Sequence, residues 1–491
     1  MAAWPRGGET MTIRTRAVGV LLLALLLGAC TGGAQEREPS LTSGPSTTGQ
    51  ESSAPSRAES APPSAPTGTW SRDGLPIVAG ADGQHLVDQR GDPLLVHAET
   101  IWAAMQSLDG DEFAAHMARR HAQGFNAVLM TPVPWIGLDG ESMATVDGQR
   151  PFEDDGVTFA EEYWAELDRR LAVARDNGIT VFLAASGVGV AAEQKGRAWG
   201  ADQASAMGRA IGERYAATPG IVWLMGVDYR PEDWERYDAE MLAFVDGLRA
   251  GGDEHLVTVQ YYNTDSTSYD NPAWRGVYQL EAAYTYRPSY GPVLTAYERG
   301  IAPVMLIEAN FESENNEGGP PTTDETLRRQ MLWTYTSGGT GAAYGHRSVW
   351  QFSDDWQSVT DTPAVEQLQL IHAQFSSIRW WDLVPDADDA LLVEGGGEAT
   401  TRGTQDGGFA DVLESDRATS ARSAAGDLAV VYVPTARRLS LDLSLVPEVT
   451  RARWFDPTSG ALVEVALTAD MTPPGANAAG DGDWLLLLDR G

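Results

Sequence analysis

The chain reads as a parallel (β/α)₈ barrel followed by a small antiparallel β-sandwich. Three observations predict this. Between residues 94 and 346, short apolar runs alternate with amphipathic stretches of helical period, the pattern of strand and helix in a parallel barrel. Two of the runs end on a carboxylate at the edge of a polar loop: residues 304–307 deliver Glu308, and residues 221–226 lead to Asp228. Beyond Pro385 the helical stretches stop and short runs separated by turns take over, as in a sandwich.

Taken in order, residues 86–96 read as a hairpin with Gly91, Asp92 and Pro93 at its turn, feeding strand one at residues 94–98. Residues 109–123 have helical periodicity, with Asp109 as N-cap and Gly124 as the stop. Strand two is residues 125–130, a helix spans 159–177, and strand three is 180–185. A helix over 201–216 precedes strand four, 221–226, and a further helix covers 234–250. Strand five is 256–261, strand six 277–281, and residues 290–300 are helical. Strand seven is 303–308, a helix spans 323–337, strand eight is 341–346, and the last helix is 364–377. An open doubly wound sheet is the competing architecture. Its nucleotide-binding form lacks support, because no Gly-rich phosphate loop follows strand one. In the last region, residues 390–393, 428–433, 439–443, 450–455 and 484–488 are the strand candidates, with a turn at 456–460.

The chain has 491 residues, enough for two folded domains, and a net charge of −34. So strong a negative field repels phosphate backbones, so no nucleic-acid partner is expected. The single cysteine, Cys30, rules out an intramolecular disulfide. Its setting explains it: Arg14 and Arg16 precede an apolar run over 17–27, then Gly28, Ala29 and Cys30. A basic segment, a short apolar core and small residues before the cleavage point describe an export signal. The run is shorter than the roughly 20 residues that span a bilayer. Leu27 to Cys30 resembles a bacterial lipobox, which implies cleavage before Cys30, lipidation of its sulfur and attachment to the outer side of the cell membrane. The organisation expected is a signal over 1–30, a Ser/Pro/Thr-rich tether over 31–69 that cannot bury a core, a barrel over 70–385 and a β-domain over 386–491.

Two carboxylates on rigid strand ends are what glycosidic cleavage needs: one protonates the leaving oxygen, the other attacks the anomeric carbon or activates water. In a barrel every strand opens on the same rim, so Glu308 and Asp228 are the candidate catalytic pair. The plain alternative is a carboxylate that caps a helix or pairs with arginine. Glu281, near strand six, is a spare carboxylate that could take the acid role from Asp228. Tyr344, His346 and Trp350 after strand eight, with Glu99 and Trp102 after strand one, form a polar and aromatic rim suited to a sugar; each reads equally as packing. No metal or other cofactor is expected. There are seven histidines without a His-Glu-x-x-His pair, and no Gly-x-Ser-x-Gly elbow.

The run from Gly338 through Tyr344-Gly345-His346-Arg347-Ser348-Val349-Trp350-Gln351, with Gly124-Phe125-Asn126, Tyr163-Trp164, and Trp454-Phe455-Asp456-Pro457, resembles the apiosidase-like glycoside hydrolases. These are bacterial secreted or lipid-anchored barrels followed by a β-domain of collagen-binding type. The resemblance runs from about Gly91 to the C-terminus. Residues 223–228 match the family's Trp-x-x-Gly-x-Asp stretch and residues 303–308 its Pro-Val-x-x-x-Glu stretch. The resemblance implies a retaining mechanism, with Glu308 as nucleophile, Asp228 as acid/base and the carboxyl groups about 5 Å apart. The chain departs from the family at Glu99-Thr100-Ile101-Trp102, where Asp-Thr-Ala-Trp is usual, around Glu281, and at Val227 before Asp228. A plant or microbial polysaccharide is the expected substrate. The rival function is an inactive barrel that binds a surface glycan or matrix.

Overall fold

Eight parallel strands make the centre of the computed structural model: β1 (Val96–Thr100), β2 (Ala127–Met130), β3 (Thr180–Leu183), β4 (Ile221–Tyr229), β5 (Val257–Tyr261), β6 (Glu281–Thr285), β7 (Val304–Glu308) and β8 (Gly339–Tyr344). The structure describes residues 76–80, 83–133, 144–153, 158–184, 200–262, 265–314, 321–399 and 409–491. Cys30, the export run and the tether lie outside these. Among the described residues no helix is long and apolar enough to cross a membrane.

Parallel ladders run unbroken from β5 through β4, β3, β2, β1, β8 and β7 to β6. Side chains alternate as a strand's period of two requires. Val96, Ala98, Leu129, Phe182, Val222, Leu224, Ala282, Met305 and Ile307 fill the barrel interior. Their neighbours Val128, Met130, Val181, Leu183 and Trp223 face the helices. The long helices among the described residues are α1 (Gly110–Ala122), α2 (Glu161–Asp176), α3 (Gly200–Tyr215), α4 (Trp234–Ala250), α5 (Tyr290–Arg299), α6 (Asp324–Thr336) and α7 (Pro363–Ser376). Asp109 caps α1 as expected: its side chain accepts from the Glu112 amide at 2.8 Å, and Glu112 accepts from the Asp109 amide at 3.2 Å.

The expected eightfold alternation fails once. Between β5 and β6 the described chain carries no α-helix. A short strand, Asp265–Thr267, pairs antiparallel with β6 instead. It wedges the barrel at this seam, and side chains complete the closure. Ser268 Oγ donates to the Val259 carbonyl (2.7 Å) and accepts from the Ala282 amide (2.8 Å), while Gln279 Oε1 accepts from the Val257 amide (2.9 Å). The same seam corrects strand six. Residues 277–280, expected as its body, turn here, and Gln279 is spent on capping β5. The strand begins at Glu281, four residues later than expected.

At the N-terminal end of the barrel, the predicted hairpin forms: Leu86–Asp88 pairs antiparallel with Pro93–Leu94. Leu86 packs on the interior cluster and its amide donates to Thr340 Oγ1 at 3.0 Å. This end is thereby plugged, and chemistry is left to the other.

The C-terminal region has two antiparallel sheets. One has six strands in the order β9 (Leu383–Pro385), β11 (Thr419–Ser423), β12 (Leu428–Val433), β17 (Trp484–Asp489), β14 (Arg451–Phe455), β15 (Leu462–Val465); the other is β10 (Leu392–Glu394), β13 (Leu439–Leu441), β16 (Asp470–Met471). The larger sheet is covered on both faces. Leu428, Val430, Tyr432, Leu485 and Leu487 join the cluster of α6 and α7. Ala429, Val431, Val433, Leu486 and Leu488 face the smaller sheet. Two-sided burial explains why β12 and β17 read as unbroken apolar runs rather than alternating ones.

Candidate active site

Glu308 ends β7 on the rim opposite the hairpin plug. Strict alternation would turn it outward with Val304 and Leu306, which pack on the helices. A β-bulge prevents this: Ala283 pairs with Leu306, but the next residue, Tyr284, pairs with Glu308. One extra residue in β7 re-aims the carboxylate into the barrel mouth. There Gln260 Nε2 donates to Oε2 at 2.9 Å, and Tyr286 Oη donates to Oε1 at 3.0 Å. The residue is only 7% exposed. Burial, and then the charge of Asp228, push its carboxyl well above the usual carboxylate range, while the bonds from Gln260 and Tyr286 pull it back.

Asp228 is presented by a break in β4. The ladder to β5 pairs Met225 with Val259 and resumes only at Tyr229 with Tyr261. Within the break Gly226, Val227 and Asp228 all have positive φ, at 88°, 54° and 53°. For a β-branched residue such as Val227 this is strained backbone. The break is pinned beyond Asp228, where Tyr229 Oη donates to Asp238 Oδ1 at 3.0 Å; Asn271 and Trp274 donate to the same carboxylate. Asp228 acts electrostatically on Glu308 and also on Tyr284 and Tyr286. The two carboxylates therefore lie close enough to feel each other's charge, beside a row of tyrosines. Tyr262, Tyr284 and Tyr286 succeed one another edge to face, with ring centroids 5.7 and 5.5 Å apart.

Trp102 is buried in the same cluster as Val227, Tyr284 and Tyr286, and half-buried Trp350 packs against it. The Ala103 amide donates to the Trp350 carbonyl at 3.0 Å, which ties the loops after β1 and β8 together. His346 is buried beside this loop. Its Nδ1 accepts from the Ser348 amide at 3.0 Å, which shapes a turn, and burial lowers its pKa.

Three expected rim residues lie elsewhere. Glu99 points outward from β1 to α1, fully buried, bonded to His116 Nε2 at 2.7 Å and to Arg120. Burial works to raise its pKa, but Arg120 and His116 overcome this and hold the carboxyl at about 2. It belongs to an ion cluster between β1 and α1. Tyr344 also faces outward. Its hydroxyl donates to Glu312 Oε2 at 2.7 Å, and Thr362 shares that oxygen. Glu281 starts β6 rather than ending it, so it sits at the opposite end of the barrel, paired with Arg299 at 2.5 Å. That position removes it as a rival to Asp228.

Gln260, Tyr284 and Tyr286 were missed from sequence. A glutamine inside the apolar run of β5, in phase with inward-facing Thr258, was a usable signal. The tyrosines were obscured by the misplaced start of strand six. Among the described residues no group of three or more His, Cys, Asp or Glu side chains is arranged to hold a metal ion.

Comparison with known proteins bears on the family and the fold. The family model for the apiosidase-like catalytic domain matches residues 80–382, and a model for a collagen-binding-type domain of a collagenase matches residues 410–489. A glycoside hydrolase family 5 protein from Bacteroides vulgatus has the same fold at a TM-score of 0.71 and 20% identity, over 85% of this chain and 94% of that one. A second solved glycoside hydrolase superposes equally well, at a TM-score of 0.71 and 20% identity, over 85% of this chain and 97% of the other. Curated proteins give no match to the chain. A family model that spans residues 80–382, on a barrel with two carboxylates at its open end, makes this chain a member of the apiosidase-like catalytic-domain family.

Proposed function

We propose that the protein hydrolyses a glycosidic bond of a plant or microbial polysaccharide with retention of configuration. In this reading Glu308 attacks the anomeric carbon while Asp228 protonates the departing oxygen. Asp228 then removes a proton from the water that releases the sugar from Glu308. The supporting observation is the bulge that turns Glu308 inward, against the alternation of its strand, to meet Gln260, Tyr286 and the charge of Asp228. A nucleophile must be ionised; burial and the charge of Asp228 raise the Glu308 carboxyl, and the bonds from Gln260 and Tyr286 oppose that shift. Half-buried Trp350 and Tyr262 supply apolar faces of the kind on which sugar rings stack.

The test is release of sugar from a panel of polysaccharides and aryl glycosides, with wild type beside Glu308→Gln. The variant is isosteric and should keep the fold, so its product should fall about 10³-fold or more below wild type, on the order of what loss of a covalent nucleophile costs. NMR of the first-formed anomer should report retention. Full activity in Glu308→Gln, or an inverted product, would sink the reading. We also infer that Cys30 is lipidated and holds the enzyme on the outer face of the membrane, as the sequence from Arg14 to Cys30 suggests. Cys30→Ser should then move the protein from the membrane to the soluble fraction; an unchanged distribution would dismiss the anchor.

A further inference from the structure

Glu308 and Tyr286 leave the barrel on different strands, yet their hydrogen bond requires the two strand ends to hold a fixed offset. The bond that sets this offset comes from outside the barrel. Gln330 lies on α6, wholly buried, and its side chain crosses to both strand ends. Its Oε1 accepts from the Asn310 amide at 3.3 Å, two residues past Glu308. Its Nε2 donates to the Arg287 carbonyl at 2.9 Å and the Thr285 carbonyl at 3.4 Å, on either side of Tyr286. Asn310 completes the loop, because its Nδ2 donates to the Tyr286 carbonyl at 2.8 Å. The Gln330 carbonyl accepts from Ser289 Oγ at 2.7 Å, just beyond the same strand end.

A glutamine buried in a helix that faces apolar side chains has to satisfy one acceptor and two donor hydrogens. Here it satisfies them on the two segments that carry Tyr286 and Glu308. Neither Leu nor Met could bridge them. The helix beneath is itself held still: Arg328 and Arg329, the two residues before Gln330, are locked to Asp483 and Asp481 and to the carbonyls of Ser415 and Pro434.

We propose that Gln330 is a positioning residue for Glu308: it fixes the ends of β6 and β7 so that the Tyr286 hydroxyl stays on the Glu308 carboxylate. The catalytic consequence rests on Glu308 being the nucleophile; the positioning itself does not. The bond from Tyr286 favours ionised Glu308, so loosening it must move the carboxyl's titration upward.

The measurement is carboxyl ¹³C NMR of the full chain labelled at glutamate, with the Glu308 resonance assigned by its loss in Glu308→Gln. Gln330→Met keeps the volume and removes all three side-chain bonds. Its Glu308 midpoint should lie about half a pH unit or more above wild type. Thr336→Val, on the same helix, loses a bond to Thr419 instead, and should cost stability without moving the midpoint. An unchanged midpoint in Gln330→Met, or an equal shift in Thr336→Val, would overturn the proposal. Should Gln330→Met not fold, Asn310→Ala removes the bond to the Tyr286 carbonyl from the other side and carries the same expectation. No substrate is needed for this readout, so a protein that hydrolyses nothing in the panel still tests it. Where a substrate is found, Gln330→Met should lower kcat about tenfold or more with little change in KM, and shift the acid limb of the rate profile upward.

Discussion

At the scale of single residues, Gly226 joins the two halves of the site. Its φ of 88° starts the turn that presents Asp228, and a Cβ there would lie 2.3 Å from the Gln260 carbonyl oxygen. Gln260 in turn holds Glu308. Backbone of a non-glycine residue that leaves the favoured regions costs about 1–3 kcal/mol, and Val227 and Asp228 do so in succession after Gly226, which adopts its positive φ freely. A strand tolerates this where the conformation is needed for something other than stability. Gly226→Ala should therefore act twice. It should cost about 2 kcal/mol or more in a urea melt, and it should lower turnover by at least about tenfold, because it pushes Gln260 off Glu308. Gly91→Ala is the control. It has a similar φ of 85° but nothing within 4 Å of the added carbon, so it should show the backbone cost and leave turnover alone.

At the scale of elements, what could be read from sequence followed from what each element buries. Strands with one face in the barrel and one on helices are apolar throughout, so β2, β3, β5 and β7 were placed within two residues at each end. Asp228 and Glu308 were readable because a carboxylate at the end of such a run is conspicuous. The hydrogen bonds around them were not, because a one-residue bulge leaves no mark in composition, and strict alternation from Val304 would have sent Glu308 outward. Strand six was misplaced because its body, Glu281-Ala-Ala-Tyr-Thr, is less apolar than the turn before it. The pairing of α3 with α4 was equally hidden. Gly208 and Gly212 face the α4 backbone, and Gly247 and Gly251 face the α3 backbone. A methyl on Gly247 would sit 2.2 Å from the Ser205 carbonyl oxygen. Alanine in a helix interior normally gains up to about 1 kcal/mol over glycine. Here the clash should reverse the sign, so Gly247→Ala should destabilise by about 1–3 kcal/mol in denaturant melts. A stabilised variant would mean the helices can move apart at little cost.

At the scale of the whole molecule, the β-domain is part of the barrel's wall. Residues 326–336 of α6 are all buried, which an outer barrel helix achieves only when something covers its far side. The cover is the larger β-sheet: Trp333 Nε1 donates to the Arg417 carbonyl at 2.8 Å, and its ring meets Tyr432 edge on. Arg328, fully buried, donates to Asp483 at 2.9 and 3.1 Å and to Asp481 at 2.7 Å. Ion pairs of this kind add little net stability when formed, but removing one partner strands the other charge in a dry site at a cost of about 3–5 kcal/mol. Arg328→Met should lower the melting temperature of the whole chain in a single calorimetric transition, since barrel and β-domain share one core. Replacing Asp483 as well, in Arg328→Met/Asp483→Leu, should recover much of the loss, because no buried charge is then left unpaired. A detachable binding module would behave otherwise. It would melt separately, and the first variant would leave the barrel's transition where it was.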